Sequence, residues 1–333
     1  MGKPTLSTVA EAVGVSVPTV SQVMRGTGRI SDKTRERVLQ AAERLHYVQD
    51  SRAAAMRSGD NREIGFAINQ LQNPFNAEVI SGVVDRLEAE GYLVSVFDTR
   101  DDQDRQARQL ETFIKHGRGG LLWVPAVSTG EKTLQMLQAH RVPAVTFLRQ
   151  SAEAFDHVGI KDIVATETAT QHLIELGHTR FAYLGGVDMT SVRRDRMTGF
   201  KNGLAAAGKP EGVIWPCADN KLAGLEAMLD LHAKFPEITA IVCNGDMVAL
   251  GACLALIRLG KTPGKDVSVI GFDDIQDAAV ATPPLTTMAV HPQTLGRTLA
   301  ETLLARINHP DAPATHIDLP AELVVRETTG PQL

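Results

Sequence analysis

Apolar residues recur at two different periods along this chain of 333 residues, and the change of period marks its first division. Leu6, Val9, Ala10 and Val13 stand three, four and seven apart, which places them on one helical face. Gly14 follows at the position of a left-handed turn residue. Ser16 is a good N-cap for a second helix, and Pro18 falls in its first turn, where a missing N–H costs little. Val20 and Val23 return to the core, and Val15 plugs the angle between the two helices. Ser31 caps a third helix whose apolar positions are Val38, Leu39, Ala42 and Leu45. Beyond residue 62 the period changes. Short apolar runs at 64–68, 93–97, 120–124, 144–147, 181–184, 240–243 and 267–271 read as strands. Helical stretches such as 77–90, 105–116 and 163–176 lie between them. This β-α-β alternation predicts doubly wound parallel sheets, in which ligands sit at the carboxyl ends of the strands.

The three-helix unit leaves Ser16, Val17, Pro18, Thr19, Ser21 and Gln22 facing outward. Short hydroxyls suit phosphate oxygens, which position a protein on DNA. Gln22 can pair bidentately with an adenine edge, and Val17 can touch a thymine methyl. Two short helices joined by a tight turn make a probe for the major groove, although a helical hairpin that binds nothing has the same scaffold. The charge favours the probe. Lys33, Arg35, Arg37 and Arg44 lie on the outer face of the third helix, and residues 1–60 carry nine Lys/Arg against six Asp/Glu, a net of +3. The remaining residues carry 25 against 33, a net of −8. A basic module on an acidic body is what a nucleic-acid partner requires.

Between these parts, Asp50 is an N-cap candidate ahead of Ala53-Ala54-Ala55-Met56, and Ser58-Gly59-Asp60 breaks the pattern. About seven residues do not hold a helix alone in water, so a flexible linker is one reading. Residues 62–333 suffice for one large or two medium domains. No apolar run is long enough to span a membrane, and the N-terminus lacks a signal core, so a cytoplasmic location is expected. Cys217, Cys243 and Cys253 lack metal spacing and are expected to be buried and reduced. No catalytic constellation stands out, and neither a metal nor a cofactor is expected. Gly185-Gly186 lacks a phosphate-loop pattern, and His172 and His178 read as helix and turn residues. Asp101-Asp102-Gln103-Asp104 reads as a solvated helix start, and Asp273-Asp274 as a ligand-binding or capping pair at a strand end.

The run T-L-x-x-V-A-x-x-x-G-V-S-x-x-T-V-S-x-V from Thr5, then G-x-G-R-I-S-x-K-T-R-E-R-V from Gly26, then Leu45-His46-Tyr47, resembles the headpiece of the lactose-repressor (LacI/GalR) family of bacterial transcription regulators. The likeness extends through Asn73-Pro74-Phe75, residues 172–180, Tyr183-Leu184-Gly185-Gly186, Gly271-Phe272-Asp273-Asp274 and Pro283-Pro284-Leu285-Thr286-Thr287. Gly28-Arg29-Ile30-Ser31 and the body are further similar to a maltose-regulon subgroup, a likeness that does not fix the ligand. The resemblance implies a headpiece at 1–46, a hinge helix and linker at 47–60 and a core at 62–333 like the periplasmic sugar-binding fold. That core would hold one subdomain at about 62–160 and 291–320 and another at about 161–290 and 321–333, with crossovers near 160, 290 and 320.

The same resemblance extends the DNA-contacting set to Thr5, Leu6, Arg25, Ser31, Thr34 and Tyr47. It also implies that Asp50, Ala53 and Met56 act in a hinge helix that orders in the minor groove. Met56 stands where the family's wedging Leu stands, and Gln49-Asp50 replaces its usual Pro-Asn. The effector pocket it implies lies between the subdomains, with Arg196 and Asp273 as polar anchors, and Phe75 and Trp123 read either as its apolar walls or as core. Three departures mark the pocket. Asn244-Gly245-Asp246 replaces the family's Ala-Asn-Asp, Leu148 replaces an Asp, and Asp219 falls where some members place a stacking aromatic. The implied protein is a homodimeric repressor of a near-palindromic operator, controlled by a sugar or polyol. The absence of a heptad tail argues against the family's tail-made tetramer. A binding protein for uptake, an enzyme using the cleft, and control by a corepressor or partner protein are the alternatives.

Overall fold

The computed structural model describes residues 3–48, 61–117, 119–150 and 153–332, in two compact units divided after Asn61. In the first unit, α1 (Leu6–Val13), α2 (Val17–Met24) and α3 (Asp32–Arg44) close on Val9, Ala10, Val13, Val20, Val23, Val38, Ala41 and Ala42. Each helix begins on a hydroxyl: Thr5, Ser16 and Ser31 accept from the backbone N–H of Thr8, Thr19 and Thr34. Gly14 ends α1 at φ 73°, ψ 39°, where a side chain is strained, and its N–H returns to Ala10 O at 2.9 Å.

One expectation changes here, and one residue gains a second role. Leu39, read as a core position, is 47% exposed, and Ala41 is buried instead. The inward stripe is Val38, Ala41, Ala42 and Leu45, so Leu39 lies one residue around the helix from it. Arg37, placed with the outer basic face, donates from Nη2 to Val13 O at 2.6 Å and so caps the end of α1 from α3. The hinge reading at Asp50, Ala53 and Met56 lies outside the described residues.

The second unit holds two six-stranded sheets. The first contains β1 (Glu63–Ile68), β2 (Leu93–Asp98), β3 (Gly120–Trp123), β4 (Ala144–Phe147), β5 (Asp156–Ile160) and β11 (His316–Leu319), and the second contains β6 (Phe181–Leu184), β7 (Val213–Trp215), β8 (Ala240–Cys243), β9 (Ser268–Asp273), β10 (Thr286–Ala289) and β12 (Glu322–Val324). The orders are β11-β5-β4-β3-β1-β2 and β12-β10-β9-β8-β6-β7. Every pairing is parallel except β12 against β10. The chain therefore passes between the sheets after β5, after β10 and between β11 and β12. The expected strands are present, and β5, β7, β10, β11 and β12 join them. β5 carries Asp156 and His157 in a buried strand, which tertiary partners permit: Arg306 Nε donates to Asp156 at 2.7 Å, and Thr146 Oγ1 meets His157 Nδ1 at 2.9 Å.

The helices of this unit are α4 (Pro74–Glu88), α5 (Gln103–Lys115), α6 (Glu131–Ala139), α7 (Asp162–Glu175), α8 (Ser191–Ala206), α9 (Lys221–Lys234), α10 (Asp246–Arg258), α11 (Gln276–Val280) and α12 (Pro292–Asn308). α4 and α12 cross backbone to backbone: a Cβ on Gly296 would collide with Val79 O, and one on Gly82 with Gln293 O. Trp123, Phe66 and Phe147 are among the largest fully buried side chains. Cys243 and Cys253 are buried and free, whereas Cys217 is only half-buried, a departure from the expectation.

Candidate functional site

On the first unit, Thr5, Ser16, Val17, Pro18, Arg25 and Ser31 are exposed, and Thr19, Ser21, Gln22 and Thr34 are half-buried. Leu6 and Tyr47, two of the expected contacts, pack against the edge of the three-helix core. The hydroxyls are pre-positioned by capping. Ser16 Oγ lies 2.8 Å from Thr19 Oγ1, and Ser31 Oγ donates to Thr34 Oγ1 at 2.9 Å. Arg25 Nε donates to Ser21 O at 3.1 Å. Gln22 folds its side-chain amide over Gly28, where a Cβ would stand 2.5 Å from Oε1. The face around the start of α2 thus combines hydroxyls, an apolar pair and one amide.

In the second unit, loops at the carboxyl ends of strands from both sheets meet at a cavity of about 70 Å³. Phe75 reaches it from the first turn of α4, Leu148 from the end of β4 and Arg196 from α8. Asp219 reaches it after β7, Asn244 after β8 and Asp273 from the last position of β9. All six expected pocket residues therefore line one cavity. It opens to a mouth of about 340 Å³ that shares Asn69, Gln70, Arg149 and Asp219 with it. Trp123 is buried in a separate cluster with Phe113 and Phe155, and so forms no wall.

Arg196 is the hub. It is 4% exposed, its Nε donates to Asp162 Oδ1 at 2.7 Å, and its Nη1 donates to Asn244 O. Its Nη2 stands 3.9 Å from Asp273 Oδ1, and its guanidinium lies 3.5 Å from the Phe272 ring centroid. Tyr183 OH donates to Asn244 Oδ1 at 2.7 Å, and Asn244 Nδ2 donates to Asp219 Oδ1 at 2.9 Å. Asp246 accepts from Thr287 Oγ1 at 2.6 Å and from Ile275 N–H at 2.9 Å. Burial pushes the carboxyls of Asp162, Asp219 and Asp273 up, against the pull of Arg196 on each. Burial likewise raises Asp246, to about 7. Asp273 has φ 116°, a strained backbone for a residue with a side chain, which aims its carboxylate at the cavity's arginine.

Residue patterning missed several members. Asp162 holds Arg196 from 34 positions away, and Asn76, one residue past the Asn73-Pro74-Phe75 turn, lines the cavity at 2% exposure. Asp101, read as part of a solvated helix start, instead forms a two-pronged ion pair with Arg149 at 2.5 and 3.0 Å at the mouth, while Asp102 caps α5. Gly185 and Gly186, at φ 99° and 87°, make the turn against which Arg193 and Asn244 lie. His178 bonds Thr239, Ser268 and Gly330, and His172 bonds Thr329. Among the described residues no His, Cys, Asp and Glu cluster is arranged to hold a metal, and no helix is long and apolar enough to cross a membrane.

Comparison with known proteins places both units. Residues 5–50 match the model for bacterial regulatory proteins, lacI family, and residues 170–329 match that for a periplasmic binding protein-like domain. The chain is 31% identical to the maltose regulon regulatory protein MalI of Escherichia coli (strain K12), over 97% of this chain and 98% of that protein. A lac repressor dimer bound to operator and the anti-inducer ONPF superposes with a TM-score of 0.88 at 26% identity, covering 99% of this chain and all of the other. The complex of the transcriptional regulator CelR with cellobiose gives a TM-score of 0.73 at 28% identity, covering 98% of this chain and all of the other. These relatives are transcriptional regulators.

Proposed function

The chain belongs to the LacI family of bacterial regulatory proteins, and on that premise we propose that it represses transcription as a homodimer in the cytoplasm, with a sugar-like effector in the cleft of its second unit. It is a DNA-binding regulator controlled by a small molecule. Two copies place α2 in successive major-groove half-sites of a near-palindromic operator. Thr5, Ser16, Thr19, Ser21, Arg25, Ser31 and Thr34 meet phosphates, Val17, Pro18 and Gln22 meet base edges, and Leu6 and Tyr47 brace that surface. Asp50, Ala53 and Met56 act in the hinge, with Met56 as a wedge in the minor groove. The core divides into 62–160 with 291–320 and 161–290 with 321–333, and the cleft binds its ligand without transforming it.

The observation that carries this reading is the convergence of Phe75, Leu148, Arg196, Asp219, Asn244 and Asp273 on one cavity between two mainly parallel sheets. The sheets are joined by three chain passages, so a ligand that touches both favours one relative placement of them. It controls the operator only through its different affinities for the two placements, typically ~1–3 kcal/mol of coupling. The relatives solved with cellobiose and with ONPF support the ligand class.

The test is operator binding by the full chain, followed by fluorescence anisotropy as candidate sugars and polyols are added. Arg196→Lys keeps the charge but loses the fork that joins Asp162 to Asn244 O. It is expected to weaken the ligand response by about tenfold or more. An unchanged response would remove Arg196 from the effector site.

A further inference from the structure

The two arginines of the cleft are largely committed to protein acceptors, while one buried acceptor is unmet. Arg149 gives both Nη atoms to Asp101, and Nη1 also reaches Pro125 O at 3.2 Å. Arg196 gives Nε to Asp162 and Nη1 to Asn244 O. Asn244 gives an amide hydrogen to Asp219, and its own carbonyl is occupied by Tyr183. One acceptor stands apart. Asn76 donates from Nδ2 to Gln70 O at 2.7 Å and Asn69 Oδ1 at 3.4 Å, but its buried Oδ1 accepts from no described residue. An unmet buried carbonyl requires a donor from whatever enters the cavity. Asp219 lines both cavity and mouth, and its carboxylate is met by the neutral Asn244 amide and the Gly186 backbone N–H, with no described Lys or Arg at ion-pair distance. Gln70 joins the two, since its carbonyl holds Asn76 and its Nε2 donates to Asp219 O at 3.4 Å.

Charge points the same way. Asp219 and Asp273 line the cavity, with Asp162 and Asp246 behind them. Against them stand Arg196 and an Arg149 already matched by Asp101. Burial disfavours the charged forms of these carboxyls, and a cation beside Asp219 favours its charged form, whereas an anion would meet only Arg196 and the already paired Arg149. Burial raises the Asp219 carboxyl, outweighing the Asn244 amide and the more distant Arg196 and Arg149. Meanwhile Arg196 Nη2 and Asp273 Oδ1 stand 3.9 Å apart, a gap that one hydroxyl closes by accepting from the first and donating to the second.

We infer that the effector is a compact amino-polyol, with hydroxyls between Arg196 and Asp273 and a protonated amine toward Asp219 and Asn76. The inference rests on the effector-cleft reading above and narrows it. The absence of an aromatic at Asp219 fits, because an ammonium needs acceptors and charge there in place of a stacking plane.

The test uses the full chain and matched sets of small sugars and polyols, each as neutral, amino and carboxylate forms. Glucose, glucosamine and glucuronate make one set, and sorbitol, glucamine and gluconate another. Binding is followed by calorimetry and thermal shift at a pH where the amine is protonated. The amino member of a set is expected to bind about tenfold tighter than its neutral counterpart, and the carboxylate weakest. Asp219→Asn is expected to lower the affinity of the amino member toward that of its neutral counterpart, read as the ratio of the two within each set. A neutral or carboxylate member binding best in the wild-type chain overturns the inference and leaves the effector cleft standing. An unchanged preference in Asp219→Asn overturns the placement of the amine. If no member of any set binds, the sugar-like reading of the cleft falls and the inference falls with it.

Discussion

Arg196 and Asp246 show how single residues set the electrostatics of the cleft. A guanidinium at 4% exposure is tolerable only because Asp162, Asn244 O and the Phe272 ring surround it. Asp246 has neutral donors only, from Thr287 and Ile275, and its carboxyl is held up at about 7. A raised carboxyl binds protons more tightly in the folded than in the unfolded chain. Its stabilising contribution is therefore full below the ordinary carboxylate range and is lost as pH rises to about 7. Asp246→Asn lacks this titration. Thermal melts at intervals across that window are expected to show the variant gaining on the wild-type chain as pH rises. A stability difference that does not change with pH would show that Asp246 does not titrate there. At this scale the chain was legible where chemistry is local. Ser16 and Ser31 were readable as caps because each bonds three residues ahead. Arg37 was not, because its partner Val13 O lies 24 positions away.

Elements in this protein are joined by close approaches that residue patterning does not display. α4 and α12 interlock through Gly82 and Gly296, each facing the other helix's backbone carbonyl. Adding a methyl at Gly296 forces the helices apart, and Gly296→Ala is expected to destabilise the second unit by ~1–3 kcal/mol, measured by urea unfolding. A stability equal to wild type would mean the pair is free to shift. β5 was missed for a related reason. Its Asp156 and His157 interrupt the apolar run that marks a buried strand, and Arg306 and Thr146 satisfy them from other elements. The apolar strands β1, β3, β4, β6, β8 and β9 were legible because strands buried on both faces must be nearly continuous in apolar residues.

For the whole molecule, the headpiece charge of +3 over residues 1–60 predicts that operator affinity falls steeply with salt. With roughly 6–10 phosphate contacts per bound dimer, affinity is expected to drop ~10³–10⁵-fold between about 50 and 200 mM salt. Titrations at several salt concentrations measure the slope, and a flat response would count against phosphate-anchored binding. The division of labour between sequence and structure follows the range of the forces involved. The sequence by itself determined the capped helices of the headpiece and the alternation of strands and helices, while resemblance to a family pointed to six residues that line one cavity. Those signals repeat within a few residues or reside in short runs. Only the tertiary structure decided which charges are met. Asp101 finds Arg149 across 48 positions and Asp162 finds Arg196 across 34, while Asn76 Oδ1 is left without a described donor. Hydrogen-bond satisfaction depends on distances between atoms brought together by the closed fold, and no period along the chain records those distances.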